Sequence, residues 1–230
     1  MSSFNEEYYN NNKQEKDRIG LFFYSNIVKN YFKPKVVLDY GCGTGFFLKR
    51  LSKISNIQNT FGFELSDYAR NEAIKNSPLS KIINNLNQID SDSVDLIVSL
   101  HVIEHVKDDD LTNIFSSFKR ILKKNGSILV STPAKNGLAN ILKKEKWIAY
   151  TDITHINLKS YKEWELFFKN QKLCIKKSAS DGLWDYPYKT DKNVFLKIKI
   201  YFLMFFQIFF GKLLLKNKEG ETFIFFLVIE

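Results

Sequence analysis

The chain has 230 residues and a mass of 27.0 kDa, with 44% hydrophobic and 26% charged residues. This length suits one domain with a modest appendage, and the composition excludes a disordered chain, a collagen-like repeat and a small disulfide-stapled fold. There are only two cysteines, Cys42 and Cys174, and from the polar start we expect no secretory signal peptide. We therefore expect a reduced, cytoplasmic location.

The chain is basic, with 34 Lys plus Arg against 25 Asp plus Glu and a net charge of +9. Almost all of the basic residues are lysines scattered along the chain, and only four are arginines. Nucleic-acid recognition favours arginine, whose planar fork reads bases and phosphates. We therefore interpret the excess charge as a solvated surface, and we do not favour a nucleic-acid partner.

Hydrophobic periodicity predicts alternating helices and strands. Residues 1–12 are polar, although Tyr8 and Tyr9 are unusual there. In chain order the pattern then predicts a helix over 13–32, a strand over 35–40, a glycine turn over 41–45, a helix over 46–54, a strand over 60–64, a helix over 67–76, strands over 81–85 and 94–100, a helix over 108–124 closed by Asn125-Gly126, a strand over 127–131 ended by Pro133, a helix over 160–170, and strands over 173–179 and 222–229.

This alternation predicts an α/β fold, a doubly wound, seven-stranded and mostly parallel sheet of Rossmann-like architecture with a helical insertion before the last strand. We expect four parts along the chain. They are an N-terminal helical cap over 1–33, a core over 34–180, an aromatic insertion over 181–221, and the final core strand over 222–230.

The strongest local signal is the run Asp39-Tyr40-Gly41-Cys42-Gly43-Thr44-Gly45, in which a strand leads through a glycine-rich turn into a helix. Glycines let a ligand approach the backbone, and the helix start offers free N–H groups. Two details argue against a dinucleotide. Phe46 stands where the third glycine of the fingerprint belongs, and Asp39 would repel a pyrophosphate. Asp39 instead suits a cationic ligand, and Glu64, at the end of the next strand, suits ribose hydroxyls.

These residues, together with 93–97, 100–106 and 122–133 in the same order, resemble the class I S-adenosylmethionine (SAM)-dependent methyltransferases, in particular the small-molecule O-methyltransferases of types 11 and 23 and of the ubiquinone pathway. The resemblance implies SAM as cofactor and S-adenosylhomocysteine (SAH) as product. It implies that Asp39 and the turn hold the methionine moiety, that Glu64 binds the ribose, and that four further residues surround the adenine. The implied cofactor-binding set is Asp39, Gly41, Cys42, Gly43, Gly45, Glu64, Leu65, Asn85, Leu86 and Leu100.

All three histidines, His101, His105 and His155, follow predicted strands, where an open α/β sheet binds its ligands. Histidine is a natural base for a hydroxyl proton. Asp152 precedes His155 by three residues and could orient its ring. We therefore predict His155, Asp152 and His105 as catalytic residues. His101-x-x-Glu104-His105 resembles a cluster that holds a divalent metal in some ubiquinone-pathway enzymes, but we predict no metal here.

The insertion contains an uncharged, strongly aromatic run over 200–210, interrupted only by Gln207. With lysines inside the wider window 194–215, a membrane span is not expected. Three alternatives stay open for 194–215: a lid or dimer helix, a helix lying in a membrane interface, or the wall of a pocket for a lipidic acceptor. The aromatic segment 181–188 could line the acceptor site.

We therefore expect SAM-dependent methyl transfer to a small molecule, first to a hydroxyl of a sugar or glycan precursor. The alternatives are an isoprenoid or phenolic acceptor, RNA, or a SAM-binding interaction module without catalysis. Peripheral membrane contact and a homodimer are further expectations.

Overall fold

The computed structural model describes residues 4–12, 14–184 and 194–230. Its strands form one seven-stranded sheet of order β3-β2-β1-β4-β5-β7-β6. Strand pairs β1–β2, β1–β4 and β2–β3 are parallel, whereas β7 pairs antiparallel with both β5 and β6. The predicted fold class is confirmed. The strands are β1 Val36–Tyr40, β2 Asn59–Phe63, β3 Lys81–Ile83, β4 Val94–Leu100, β5 Leu122–Pro133, β6 Leu173–Ala179 and β7 Thr222–Ile229.

Helices flank the strands along the chain, and local side chains explain where several of them begin. Ser66 caps the helix that starts at Asp67, and Ser160 forms a reciprocal capping box with Glu163. The helices are α1 Glu6–Asn11, α2 Ile19–Ile27, α3 Phe46–Leu51, α4 Asp67–Asn76, α5 Asp108–Ile121, α6 Leu138–Lys143, α7 Ile148–Thr151, α8 Tyr161–Asn170 and α9 Val194–Phe210.

The chain divides into two compact units. One comprises residues 1–99 and 117–127, and its core includes the apolar residues of β1 together with Leu48 and Leu51 of α3. The other comprises residues 100–116 and 128–230. There Trp164, Phe168 and Phe225 form a ring cluster, with centroids 5.7 Å and 5.2 Å apart. A second cluster of this unit surrounds Trp147, Leu183 and Ile200. The division into cap, core, insertion and final strand stays a prediction.

The structure corrects the ends of two predicted helices and adds three short helices that the sequence did not predict. The helix predicted over 13–32 begins at Ile19 and ends in a π-helical turn, Val28–Phe32. Residues in the polar start form α1, which periodicity does not reveal in a six-residue helix. Asn125-Gly126 does not close the helix predicted over 108–124, because β5 already begins at Leu122. A Cβ on Gly126 would lie 2.5 Å from the Leu122 side chain, so this glycine allows close packing within the strand. The short helices α6 and α7 were not expected.

Candidate functional site

The glycine turn follows β1 and depends on left-handed backbone conformations. Gly41, Gly43 and Gly45 have φ angles of 77°, 52° and 84°, which side chains with a Cβ rarely adopt. The turn is tied to the neighbouring strand, because the amides of Gly41 and Cys42 both donate to the carbonyl of Phe63, at 2.8 Å and 3.0 Å. This geometry holds the turn backbone at the carboxyl end of β1.

Two of these glycines also permit close approach. A Cβ on Gly45 would lie 2.7 Å from the Cα of Ala73, so this position is glycine because α3 begins against the backbone of α4. A Cβ on Gly43 would instead meet only side-chain atoms, Gln14 Oε1 at 3.3 Å and Tyr9 Cε1 at 3.5 Å. Only side chains, which can move, would meet a Cβ on Gly43, so this glycine keeps the turn backbone accessible when Gln14 and Tyr9 shift.

Two buried carboxylates accompany the turn. Glu64 directly follows β2 and accepts hydrogen bonds from the Gly43 and Ser66 amides, both at 2.9 Å. Burial raises the pKa of Asp39 to about 8, and the negative charge of Glu64 adds to this shift. Burial also raises the pKa of Glu64, against the opposing effect of its backbone hydrogen bonds. A positively charged ligand would relieve this repulsion, as expected from the placement of Asp39 in the sequence.

The N-terminal segment covers the turn, which the sequence did not reveal. Tyr9 of α1 is only 4% exposed, and its ring centroid lies 5.9 Å from that of Tyr68. The Thr44 hydroxyl donates to the Gln14 carbonyl at 2.5 Å, and the Ser66 hydroxyl donates to the carbonyl of Phe4 at 2.6 Å. The available signal was a pair of tyrosines in a polar stretch. Tyr9 and Gln14 are therefore additional candidates for contact with a ligand on the turn.

The residues assigned to the adenine have varied environments. Leu65 is 70% exposed, Leu86 is buried and Leu100 is half-buried. Asn85 is exposed, and its Oδ1 accepts from the Asn87 amide at 2.9 Å, which caps the short 3-10 turn Leu86–Gln88. Their roles toward adenine stay predictions, as do those of Asp39, Cys42 and Glu64.

The second unit gathers the predicted catalytic residues around the loop after α7. His105 Nδ1 lies 2.9 Å from Thr154 Oγ1, and that hydroxyl donates to Asp152 Oδ1 at 2.5 Å. The hydroxyl therefore accepts from an Nδ1–H, which places the proton of the neutral ring on Nδ1. Burial lowers the pKa of His105, so the ring is neutral at physiological pH. Thr154, which the sequence argument overlooked, links the predicted carboxylate to this histidine.

His155 is held through its other ring nitrogen by the backbone. Its Nδ1 lies 2.9 Å from the carbonyl oxygen of Ala149, so Nδ1 carries the proton and Nε2 is free to accept one. Asp152 Oδ2 is 3.8 Å from Nε2, close enough for an ion pair with the protonated ring but beyond hydrogen-bond distance. The expectation that Asp152 orients His155 stays a prediction, and the Ala149 carbonyl is a second group that holds the ring. The His105 and His155 ring centroids are 4.6 Å apart.

Glu104 lies completely buried among the histidines. Its Oε1 is 3.3 Å from Nδ1 of His101, a residue in the left-handed region at φ 56°. Burial would raise the pKa of Glu104, but the nearby imidazoles outweigh burial and hold that pKa below its usual value. Ligand atoms of Glu104, His105 and His155 lie within 4.8 Å of one another, so within the described part of the chain these three residues form a group that could hold a metal ion. The prediction of no metal stays a prediction.

The segment predicted to line the acceptor site, 181–188, is described as far as residue 184, and the rest lies outside the described residues. Asp181 is buried, and its Oδ1 accepts from the amides of Gly182 at 2.8 Å and Thr222 at 3.2 Å. Burial raises the pKa of this carboxyl. Asp181 therefore ties the start of the insertion to β7.

Residues 13–174 match the family model described as "Methyltransferase domain". A malonyl-[acyl-carrier protein] O-methyltransferase of Hamiltonella defensa is 30% identical over 127 residues, which are 54% of this chain and 47% of that protein. The chain thus spans about half the length of this curated relative. A SAM-dependent methyltransferase from Archaeoglobus fulgidus matches with a TM-score of 0.65 and 16% identity, over 96% of this chain and 98% of that one. The plantazolicin methyltransferase BpumL, whose structure was solved in complex with SAH, matches with a TM-score of 0.63 and 16% identity. This match covers 97% of this chain and 88% of that one.

The chain therefore belongs to the methyltransferase domain family. The class predicted from the motifs, a class I SAM-dependent methyltransferase, is confirmed by this family and by the fold.

Proposed function

We propose that this chain transfers the methyl group of SAM to a hydroxyl oxygen of a small molecule, in the first place a sugar or glycan precursor. The observation that carries the proposal is His155, whose Nδ1–H is held by the Ala149 carbonyl so that Nε2 is a bare base. A base of this kind is what an alcohol acceptor needs when it attacks a methyl group.

The residues around the glycine turn fit SAM. A Cβ on Gly43 would fill the narrow space beneath Gln14 and Tyr9, and the buried carboxylate of Asp39 favours a ligand that carries positive charge. When bound, SAM supplies an electrophilic methyl group, which leaves the sulfonium with cleavage of the carbon–sulfur bond as the acceptor oxygen attacks. Glu64, fixed by the Gly43 and Ser66 amides, offers its remaining lone pairs to ribose hydroxyls.

The chain's own contribution to the chemistry is the removal of the hydroxyl proton. Nε2 of His155 takes that proton as the new carbon–oxygen bond forms, and the resulting imidazolium lies 3.8 Å from the Asp152 carboxylate. Hydrogen bonds from the Thr154 hydroxyl and amide outweigh burial and lower the pKa of Asp152, so it stays ionised and stabilises that charge. His105, neutral and held by Thr154, is the second base candidate.

The need for a base also bears on the acceptor class. The curated relative is named for an acyl-carrier-protein acceptor, and a carboxylate attacks without losing a proton. A phenol ionises near pH 10, as tyrosine does, and needs less help than an aliphatic alcohol. The imidazole of His155, with its proton held on Nδ1, therefore supports a sugar hydroxyl over a carboxylate or a phenol.

Methyl-labelled SAM offered with sugar nucleotides, phenols, malonyl thioesters and RNA tests the proposal. We expect label in a sugar product that resists mild alkali, as an ether does. An alkali-labile methyl ester, or label in RNA, would contradict the hydroxyl acceptor. Tight SAM binding without transfer to any acceptor would instead support the non-catalytic module.

The same assay tests the base. His155→Ala should lower kcat by about 10²-fold or more, the usual contribution of a general base, with little change in SAM affinity. Lys162→Ala, at an exposed position on α8, is the matched control and should retain full activity. Equal losses of kcat and SAM affinity in the His155 variant would show a structural role.

A further inference from the structure

Helix α9 exposes a continuous aromatic face. Phe195, Ile198, Phe202, Phe205 and Phe209, here called the aromatic face, follow one another at spacings of three and four residues and are each 60% to 89% exposed. Residues at these spacings share one side of a helix. A contiguous apolar surface of this kind is rare on a monomeric soluble protein and marks an interaction site.

The opposite side of the helix is fixed to the protein by Gln207. This residue is fully buried, and its Nε2 donates to the carbonyls of Ser180 at 3.1 Å and Asp181 at 2.8 Å. Its Oε1 accepts from the amides of Leu214 and Leu215, at 2.7 Å and 2.9 Å. Both donor hydrogens and both lone pairs of the amide are thus used. Turning the aromatic face inward would break all four bonds, so the helix cannot act as a lid that folds this face onto its own unit.

The helix that carries the aromatic face, and the segment directly after it, are rich in lysine. Segment 194–218 contains five lysines and no Asp or Glu. Lys199 lies on the helix, and Lys212, Lys216 and Lys218 follow it; all four are exposed. A cavity of about 300 Å³ is lined by apolar side chains that include Leu203 and Phe206, and by Lys212. This combination suits an apolar chain with an anionic head group.

We propose that α9 docks the protein on an anionic phospholipid bilayer, lying in the interface with its aromatic face among the acyl chains. Apolar residues on one side and lysines at the border are the features of interfacial helices, which bind anionic lipids. A span is not the alternative, since no helix in the described part of the chain is long and apolar enough to cross a bilayer.

A second copy of the chain is a less suitable partner for the aromatic face than an anionic membrane is. An isologous contact through the aromatic face would bring the lysines of one copy to those of the other, because a twofold interface pairs the same patch with itself. Segment 194–218 offers no carboxylate to offset that repulsion. An anionic membrane neutralises the same lysines. The proposal does not depend on the identity of the methyl acceptor.

The test is co-sedimentation of the full chain with vesicles of phosphatidylcholine alone or of phosphatidylcholine mixed with phosphatidylglycerol. We expect binding to the mixed vesicles only, weakening as salt screens the lysines. Replacing Phe202, Phe205 and Phe209 together by serine should reduce binding more than tenfold. The matched control, serine at the exposed Leu79 and Ile153, should bind as the parent does.

The charge and the depth of insertion are tested separately. Lys199→Glu with Lys212→Glu should abolish the preference for anionic vesicles, whereas glutamate at the exposed Lys53 and Lys124 should not. In Phe205→Trp, brominated lipid should quench the added fluorescence. Equal binding to both vesicle types, no quenching, or a lipid-free dimer in sedimentation that the three serines dissociate would each overturn the proposal.

Discussion

Replacing Asp39 by asparagine tests how the glycine turn selects a cationic ligand. Burial and the charge of Glu64 raise the pKa of Asp39 to about 8, so in the ligand-free protein this carboxyl is mostly neutral below that pH. A bound cation favours the ionised form. Binding below pH 8 must therefore be accompanied by release of a proton, and SAM affinity should fall as the pH is lowered.

The size of the effect follows from the pKa. With a value of about 8, the ionised fraction is about one half at pH 8 and about one hundredth at pH 6, so the affinity should differ about 50-fold, or about 2.3 kcal/mol. Stability should show the opposite trend. Because the folded protein holds this proton up to a higher pH than the unfolded chain, the contribution of Asp39 to stability falls as the pH rises from about 4 to about 8. Asp39→Asn should therefore unfold at a higher temperature than the parent at pH 8, in the absence of ligand.

Calorimetric titration with SAM and SAH between pH 6 and pH 8 is the assay, repeated in buffers of different ionisation enthalpy to count released protons. The amino group of the ligand titrates in the same range, so the difference between parent and variant isolates Asp39. Asp39→Asn should bind more weakly at pH 8 and lose most of the pH dependence. Asp90→Asn, at an exposed position before β4, is the control.

Two results would refute this reasoning. One is a variant whose SAM affinity keeps the pH dependence of the parent, since the titrating group would then lie elsewhere. The other is a parent whose affinity is flat between pH 6 and pH 8, which would mean that Asp39 is already ionised without ligand.

Three further predictions concern the positions around the two sites. Glu64→Ala should weaken SAM binding in calorimetry by about 1–3 kcal/mol, as removal of a charged acceptor does, and unchanged affinity would remove it from the ribose site. Gly45→Ala should lower the free energy of unfolding in urea by a few kcal/mol, because its Cβ would meet the Ala73 backbone at 2.7 Å; a neutral effect would show that α4 yields. Gln207→Leu should destabilise by at least about 2 kcal/mol, since it removes the partner of four backbone groups, three of them in buried hydrogen bonds, and a variant as stable as the parent would contradict the anchoring role.

The sheet was predictable because each buried strand has a local signature. Runs such as 94–100, 173–179 and 222–229 are apolar, β-branched or aromatic and are bounded by polar residues or turns, and the observed strands have the same limits. The boundary between α5 and β5 was not predictable in the same way. Asn125-Gly126 is a typical helix ending, yet here the glycine serves packing against Leu122 inside a strand. An Asn-Gly pair can therefore end a helix or allow close packing inside a strand, and only the tertiary contacts of the glycine determine which of the two occurs.

The candidate site, like the fold, was predictable from the sequence only in part. Glycines and carboxylates after successive strands identify the ligand edge because strand direction alone brings them there. The orientation of a ring does not follow from spacing. Asp152 stands at a suitable distance in sequence from His155, but the ring is held by a backbone carbonyl, Ala149, and the carboxylate reaches His105 through Thr154. A carbonyl is present at every residue, so no sequence pattern distinguishes the one that fixes the tautomer.

For helix α9, the sequence also could not predict which of the two apolar sides faces the core and which is exposed. Phe202 and Phe205 lie on one side, and Ile200 lies on the other, so hydrophobic periodicity gives neither side a clear preference for the core. In the sequence, Gln207 is only an interruption of an apolar run. In the structure the side-chain amide of Gln207 determines which side of the helix faces the protein. Burying this amide costs little free energy only where two acceptors and two donors are available to it. The carbonyls of Ser180 and Asp181 are the acceptors, and the backbone amides of residues 214 and 215 are the donors. The aromatic side is then exposed as a consequence of satisfying one polar group, and the same bonds hold it in place for the membrane contact that we propose.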